Sequence, residues 1–329
     1  MSSNIIDTHG RIHNYLRISL TDNCNLRCFY CMPEEDYAFT PQSKLMQVNE
    51  VEQLARIFVD HGVNKIRLTG GEPLVRKDAP AIIDVLSALP VQLAMTTNGI
   101  RVNDMLSQII NARFSSINIS LDTLKRDRFL QITRRDYFDR VRRNIDLLLD
   151  KQIQIKLNVV VMKGINDDEI LDFVELTKLN PIEVRFIEFM PFSGNHWSSN
   201  QVLTLNEIVE QIAKVYEIEA DTPKPNDTTK PFAIAGHVGK IAIISTMTAP
   251  FCESCNRMRL TADGKLKNCL FSKQETDLLT PMRNGEPVLP LIQRSIHSKA
   301  ASLGGQLTKD FKKIETGSLE NRSMITIGG

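Results

Sequence analysis

The sequence predicts an α/β protein built on a parallel sheet, open or curled into a wide or incomplete barrel. Three observations predict it: six β-rich runs separated by helical patterns, apolar–polar alternation inside those runs, and a change of pattern after the sixth. The runs lie at 14–20, 64–69, 91–96, 115–121, 153–161 and 182–189. Between them, 48–61 carries Val51, Leu54, Ala55 and Phe58, and 140–149 carries Val141, Ile145, Leu148 and Leu149, each spaced as one helix face. Strand–helix alternation of this kind implies right-handed βαβ units, with functional residues at the C-terminal ends of the strands.

Strands buried on both faces of a parallel sheet normally read as unbroken apolar runs. These alternate instead. Leu16-Arg17-Ile18-Ser19-Leu20, Ile66-Arg67-Leu68-Thr69, Ile117-Asn118-Ile119-Ser120-Leu121-Asp122 and Ile155-Lys156-Leu157-Asn158-Val159 put their apolar side chains on one face. Arg17, Arg67, Asn118, Ser120, Lys156 and Asn158 fall on the other. Arg185 adds a fourth cation to that face, and such a group is costly to bury without an anionic guest, so a polar, basic lumen is expected. An antiparallel sheet with one solvated face would alternate in the same way, but it leaves the intervening helices without a place.

After the sixth run, 205–215 reads as a helix and Thr222–Pro231 as a linker rich in Pro, Asp and Lys. Two β-like runs follow at 232–235 and 240–245, with a further helix near 288–302. A second, smaller unit is expected from about residue 190, dividing the chain into 1–190 and 191–329. The 329 residues fit one large domain or two ordinary ones. With 40 Lys+Arg against 39 Asp+Glu the formal net charge is +1, so neither nucleic acid nor a membrane is expected as a partner, and anion binding has to be local. A composition 42% hydrophobic and 24% charged argues against a disordered chain. No apolar run is long enough for a membrane span, and Met1-Ser2-Ser3-Asn4 does not open a signal peptide, which leaves the cytoplasm as the expected location.

The six cysteines fall in two triads, Cys24, Cys28 and Cys31, and Cys252, Cys255 and Cys269. A disulfide framework is unusual in a reducing compartment, so two metal sites are expected. The first triad directly follows the first strand, and soft sulfur suits iron–sulfur or zinc. In a four-iron cluster, three cysteines leave one iron open to a small molecule. Zinc is the alternative at both places, with His297 as a distant fourth ligand for the second triad. Arg257 and Arg259 share one side if their segment is extended. Thr69-Gly70-Gly71-Glu72-Pro73 ends the second strand, where two glycines would let the backbone approach a ligand with no Cβ in the way.

The Cys-x3-Cys-x2-Cys spacing, the aromatic Tyr30 before its last cysteine, and Gly-Gly-Glu-Pro one strand later resemble the radical S-adenosylmethionine (SAM) enzymes. From about Arg11 to Gly329, both cysteine spacings, Gly-Gly-Glu-Pro, Asn256-Arg257-Met258-Arg259 and a terminal Gly328-Gly329 follow the order of one of its families, the GTP 3′,8-cyclases of molybdenum cofactor biosynthesis. The resemblance implies an incomplete (βα)6 TIM-type barrel with a C-terminal region carrying a second cluster. It implies two 4Fe-4S clusters, one on Cys24, Cys28 and Cys31 and one on Cys252, Cys255 and Cys269. It places SAM at Tyr30, Gly71, Ser120 and Met190, and GTP at Arg17, Arg67, Thr96, Lys156, Arg257, Met258 and Arg259. Met258 stands where relatives often have leucine, and a backbone contact is expected of it. Arg257, Arg259, Gly328 and Gly329 are expected to act in catalysis, with Met324–Ile327 apolar enough to dock the tail and its glycines slim enough to thread a crowded pocket.

The implied reaction passes one electron from the first cluster to SAM. The resulting 5′-deoxyadenosyl radical takes the ribose 3′ hydrogen of GTP, and C3′ attacks guanine C8, with the second cluster holding guanine. An electron donor is implied, as is cyclic pyranopterin monophosphate synthase to take the product; a homodimer is left open. Two rivals stand beside this reading. A radical SAM peptide-modifying enzyme has no need to collect cations in its lumen. A non-enzymatic zinc-binding module has no need of Gly-Gly-Glu-Pro or of alternating strands.

Overall fold

The period of two in the sequence becomes a sheet with one apolar and one polar face. The computed structural model describes residues 4–33 and 37–328. Strands β1 (Tyr15–Ser19), β2 (Lys65–Thr69), β3 (Gln92–Thr97), β4 (Ser116–Ser120), β5 (Ile155–Val161) and β6 (Glu183–Glu188) lie side by side and parallel in chain order. Each falls within two residues of its expected place. Helices α1 (Val48–Asp60), α2 (Ala79–Ser87), α3 (Leu106–Asn111), α4 (Arg126–Thr133), α5 (Phe138–Asp150) and α6 (Ile170–Leu179) connect them. The core forms where the apolar strand positions Leu16, Ile18, Ile66, Leu68, Ile117, Ile119, Leu157 and Val159 meet Val51, Leu54, Phe58, Val141, Ile145 and Phe173 of the helices.

The C-terminal part comprises α7 (Leu205–Ala213), β7 (Ile218–Ala220), β8 (Lys230–Ile234), β9 (Lys240–Ile244), β10 (Arg257–Leu260), β11 (Lys265–Lys267), β12 (Thr276–Asp277), α8 (Leu279–Arg283), α9 (Leu289–His297) and α10 (Met324–Ile327). Its strands extend the first sheet on both edges. β9 pairs parallel with β6 and β10 pairs parallel with β1, giving the order β12-β11-β10-β1-β2-β3-β4-β5-β6-β9-β8-β7. Among the described residues no ladder joins β7 to β12. The polar faces of β1 to β6, β9 and β10 all line one cavity, so the sheet curls without closing, as an incomplete barrel does. Two local expectations are corrected. Thr222–Pro231 packs at that cavity instead of serving as a linker, and the helix near 288–302 ends at His297. Among the described residues no helix is long and apolar enough to cross a membrane.

Fully buried carboxylates tie the strand ends together. Glu188, the last residue of β6, accepts from the backbone N–H groups of Leu205 (3.0 Å), Met247 (2.8 Å) and Thr248 (3.0 Å) and from the Thr248 hydroxyl. It thereby joins β6 to the start of α7 and to the segment after β9. Glu72, after β2, does the same for β3, accepting from Thr97 Oγ1 (2.8 Å), Asn98 N (2.6 Å) and Leu74 N (3.0 Å). Burial pushes the Glu72 carboxyl up to about 7 and that of Glu188 above its usual range, while these hydrogen bonds pull the other way.

Glu188→Ala leaves three backbone donors without an acceptor, each worth about 1–3 kcal/mol when buried. Urea unfolding should then show a loss on the order of 3 kcal/mol or more. An unchanged midpoint would mean that this carboxylate does not join the two parts.

Candidate active site

Parallel pairing sets the lumen residues in rows. Tyr15 on β1 is level with Lys65 on β2 and Arg257 on β10, and one row on, Arg17 is level with Arg67 and Arg259. Around the sheet, Thr96 is level with Asn118, Asn118 with Lys156, Lys156 with Glu183, and Asn158 with Arg185. All of these line a cavity of about 610 Å³, together with Met190 and the second cysteine triad. That volume is in the range of small-molecule sites.

Of the residues expected for GTP, Arg17, Arg67, Thr96, Lys156, Arg257 and Arg259 line the cavity. Met258 faces the other way. It is level with Leu16 and fully buried in the core, so only its backbone is available to a ligand. Arg67 is held by Tyr15 Oη (2.6 Å), the Met95 carbonyl (2.7 Å) and Thr96 Oγ1 (3.4 Å). Lys156 Nζ lies 2.8 Å from Glu183, which also accepts from Arg185. Arg257 Nη2 donates to the Asn226 carbonyl at 3.3 Å. Arg257 Nη1 and Asn118 Oδ1 are buried without a hydrogen-bond partner among the described residues, an orphaned donor and an orphaned acceptor in one cavity. Burial pulls Arg17, Arg257 and Arg259 below the ordinary arginine range, Arg259 to about 10. Sequence reasoning missed Tyr15 and Lys65, although both lie one step back on the alternations that contain Arg17 and Arg67.

The chemistry of both triads fits an iron–sulfur cluster. All six cysteines are free and half-buried. Cys24 Sγ accepts from Leu26 N at 3.4 Å and Asn98 Nδ2 at 3.7 Å, and in the second triad Cys252 Sγ accepts from Leu303 N at 3.3 Å and Cys255 Sγ from Lys299 Nζ at 3.5 Å. Such N–H donors suit thiolate sulfurs that carry a cluster's charge. Burial pushes Cys24 up to about 11 and Cys31 to about 12, so these thiols ionise only with help such as bound iron gives. Among the described residues no group of three or more His, Cys, Asp or Glu is placed to hold a single metal ion, whereas the ligands of a four-iron cluster attach to separate irons. His297 is exposed, and the side chain that reaches Cys255 from that part of the chain is Lys299.

The four residues expected for SAM stand at strand C-terminal ends, after β1, β2 and β6 and at the last position of β4. Tyr30 Oη donates to Asp122 Oδ2 at 2.6 Å, and Asp122 Oδ1 accepts from Val160 N at 2.9 Å, which fixes the ring between Phe29 and Phe189. Burial pushes the Asp122 carboxyl up to about 6. Ser120 closes β4, and Met190 lines the cavity. Gly71 differs from expectation in its reason. A Cβ there would stand 2.5 Å from the carbonyls of both Asp22 and Asn23, so the close approach is to the chain's own cysteine loop. Gly71 N donates to the Thr21 carbonyl at 2.6 Å, closing the contact.

The tail enters the site. Arg322 forms a double hydrogen bond with Asp263 (3.0 and 2.9 Å) and an ion pair with Glu275 (2.6 Å), and Ile327 packs on Phe192, Phe271 and Leu303. The Gly328 carbonyl accepts from Arg259 Nη1. Gly328 has φ of 81°, and a Cβ would meet Thr69 Oγ1 at 2.5 Å, so the position demands glycine on both counts. Gly329 lies outside the described residues.

The sequence matches the Radical SAM superfamily over residues 18–177 and Molybdenum Cofactor Synthesis C over 182–303. The fold is shared at low identity with Streptococcus suis SuiB bound to its precursor peptide SuiA (TM-score 0.60, 15% identity, covering 96% of this chain and 67% of that one). It is also shared with anSMEcpe with bound AdoMet (TM-score 0.56, 12% identity, covering 95% and 88%). The class is therefore a radical SAM protein with a second, molybdenum-cofactor-type C-terminal part. The chain is 46% identical to the mitochondrial GTP 3′,8-cyclase of Arabidopsis thaliana, covering all of this chain and 84% of that protein. It is 40% identical to GTP 3′,8-cyclase of Moorella thermoacetica, covering 98% of this chain and 99% of that one. It is 42% identical to human molybdenum cofactor biosynthesis protein 1, of which it spans about half, 51%. The chain belongs to the GTP 3′,8-cyclase family.

Gly71→Ala forces a methyl group against two backbone carbonyls that cannot turn aside, a strain of about 1–3 kcal/mol. Iron analysis after reconstitution should show less iron than in the wild type, with the loss falling on the first triad. Full iron content would show that the loop relaxes freely.

Proposed function

We propose that this chain is a radical SAM lyase that converts GTP into (8S)-3′,8-cyclo-7,8-dihydroguanosine 5′-triphosphate, the first step of molybdenum cofactor biosynthesis. The observation that carries this reading is a cavity in which Arg17, Arg67, Lys156, Arg257 and Arg259 converge beside a cysteine triad. Cys24, Cys28 and Cys31 would hold one 4Fe-4S cluster next to SAM at Tyr30, Gly71, Ser120 and Met190, and Cys252, Cys255 and Cys269 would hold the other at the cavity wall. When bound, the first cluster and SAM supply one-electron chemistry at the ribose, and the second cluster supplies an open iron for guanine.

The chain's own residues bind and orient. Arg17, Arg67, Lys156 and Arg257 neutralise the triphosphate, Thr96 and the Met258 backbone complete its contacts, and the curled sheet keeps water from the reacting carbons. The Gly328 carbonyl, accepting from Arg259 Nη1, holds that guanidinium at the lumen, and the terminal Gly328 and Gly329 act with Arg257 and Arg259 in catalysis. In this division of labour residues 1–190 hold SAM and residues 191–329 bring the second cluster and the tail. A one-electron donor has to supply each turnover, and cyclic pyranopterin monophosphate synthase would take the product. Six free thiols fit a reducing compartment such as the cytoplasm. A peptide-modifying enzyme is the second reading, since SuiB shares the fold, but a lumen lined with cations favours an anionic nucleotide over a peptide.

Anaerobic incubation with SAM, dithionite and GTP, followed by mass analysis, should yield 5′-deoxyadenosine together with a cyclised nucleotide that keeps its triphosphate. Release of 5′-deoxyadenosine with GTP unchanged would overturn the substrate. Arg257→Ala removes a charge-assisted contact worth about 1.5–3 kcal/mol, so GTP binding should weaken by about 10- to 150-fold with SAM binding unaltered. Equal loss of both ligands would point to misfolding. A chain ending at Ile327 should keep both clusters and bind GTP, yet make no cyclised product; turnover at the full rate would deny the tail its role.

A further inference from the structure

Tyr15 occupies the middle of the cation cluster. β1 runs between β10 and β2, and parallel pairing places Tyr15 directly level with Arg257 on one side and Lys65 on the other. Its hydroxyl accepts from Arg67 Nε at 2.6 Å. The Arg257 guanidinium and the Lys65 ammonium lie over its ring at 5.4 and 5.1 Å from the centroid, close enough for cation–π attraction. It is buried and lines the cavity. We propose, on the nucleotide reading given above, that Tyr15 is a positioning residue for the anionic end of the substrate: its phenol is the internal counter-group that holds Arg67, Arg257 and Lys65 together until phosphate oxygens replace it.

The charged groups that face it are Arg17 from its own strand, Lys65 and Arg67 from β2, and Arg257 and Arg259 from β10. Of the acids that line the cavity, Glu183 is paired with Lys156 and Arg185 and Asp221 with Lys240, while Asp227 shares Arg257 with the phenol. Burial pushes the phenol up, but Arg67, Arg17, Arg257 and Lys65 outweigh it and bring it down to about 7. Near neutrality the free protein therefore holds part of its compensating charge on Tyr15 Oη. An arriving phosphate repels that charge, and Oη takes a proton from solvent. Nucleotide binding is then coupled to uptake of a proton, and affinity falls as rising pH makes the phenolate a stronger competitor.

The test is calorimetric binding of GTP, and separately of inorganic tripolyphosphate, to anaerobic protein carrying both clusters, between about pH 6.5 and 8.5 in buffers of different ionisation enthalpy. Wild-type affinity should fall with pH, approaching about tenfold per unit, with proton uptake. Tyr15→Phe should lose both the slope and the uptake, bind GTP about two- to tenfold more weakly at the acid end for want of the Arg67 hydrogen bond, and bind SAM normally. Should that variant not fold, the ultraviolet difference spectrum of wild-type protein near neutrality reads the same event, with phenolate absorbance lost on adding tripolyphosphate. Wild-type slope and uptake in Tyr15→Phe, or no loss of phenolate absorbance, would overturn the proposal. Tripolyphosphate binding with the predicted slope but no binding of GTP would uphold Tyr15 and overturn the substrate instead.

Discussion

The constraint on which the structure depends is a concentration of positive charge on one face of a parallel sheet. Each ion removed from water carries a penalty of several kcal/mol unless paired, and the rows Tyr15–Lys65–Arg257 and Arg17–Arg67–Arg259 stack cations next to one another. That face cannot be covered by helices as the opposite face is. The sheet curls around a cavity instead, and partial counter-charges, among them Glu183, the Tyr15 hydroxyl and the Gly328 carbonyl, are distributed around its wall. A polyanionic guest completes what they leave unbalanced.

The rest of the architecture serves to hold that wall in place. Glu72 and Glu188 fasten loops from different strands to one another through backbone donors at the C-terminal ends of the strands. The same economy appears at the second triad, where Arg11 donates to the carbonyls of Cys252, Ala300 and Ala301, and Lys299 bridges Cys255 and the Arg257 carbonyl. A segment from the start of the chain and another from near its end thus converge on one cysteine loop. Gly71 plays the corresponding part at the first triad by letting the β2 loop lie against the backbone that precedes Cys24.

Most of the central strands were legible because an alternation of five to seven residues, as in β1, β2, β4 and β5, states both the strand and the face. Arg17, Arg67 and Lys156 followed directly onto the lumen face, and the cysteine spacings singled out both triads. The edge strands were not legible: β11 and β12 have three and two residues, too few to show a period, and their partners lie far away in sequence. Tyr15 was missed because a tyrosine opening a strand reads as an ordinary core aromatic until its neighbours on β2 and β10 are known. Glu188 looks like any acid in sequence, and Glu72, though part of Gly-Gly-Glu-Pro, gives no sign there that it fastens β3, since only burial and its backbone donors show it. Thr222–Pro231 has the composition of a linker and yet lies at the cavity, because its Asn226 carbonyl meets Arg257. Composition does not reveal such a contact.

A cavity built for a polyanion has a clear signature in thermal unfolding with different guests. GTP and inorganic tripolyphosphate should both raise the Tm of the cluster-loaded protein, guanosine should raise it little, and the effect of the anions should shrink as salt is added. Guanosine stabilising as strongly as GTP, or anion stabilisation that ignores ionic strength, would mean that the lumen's cations do not hold the guest.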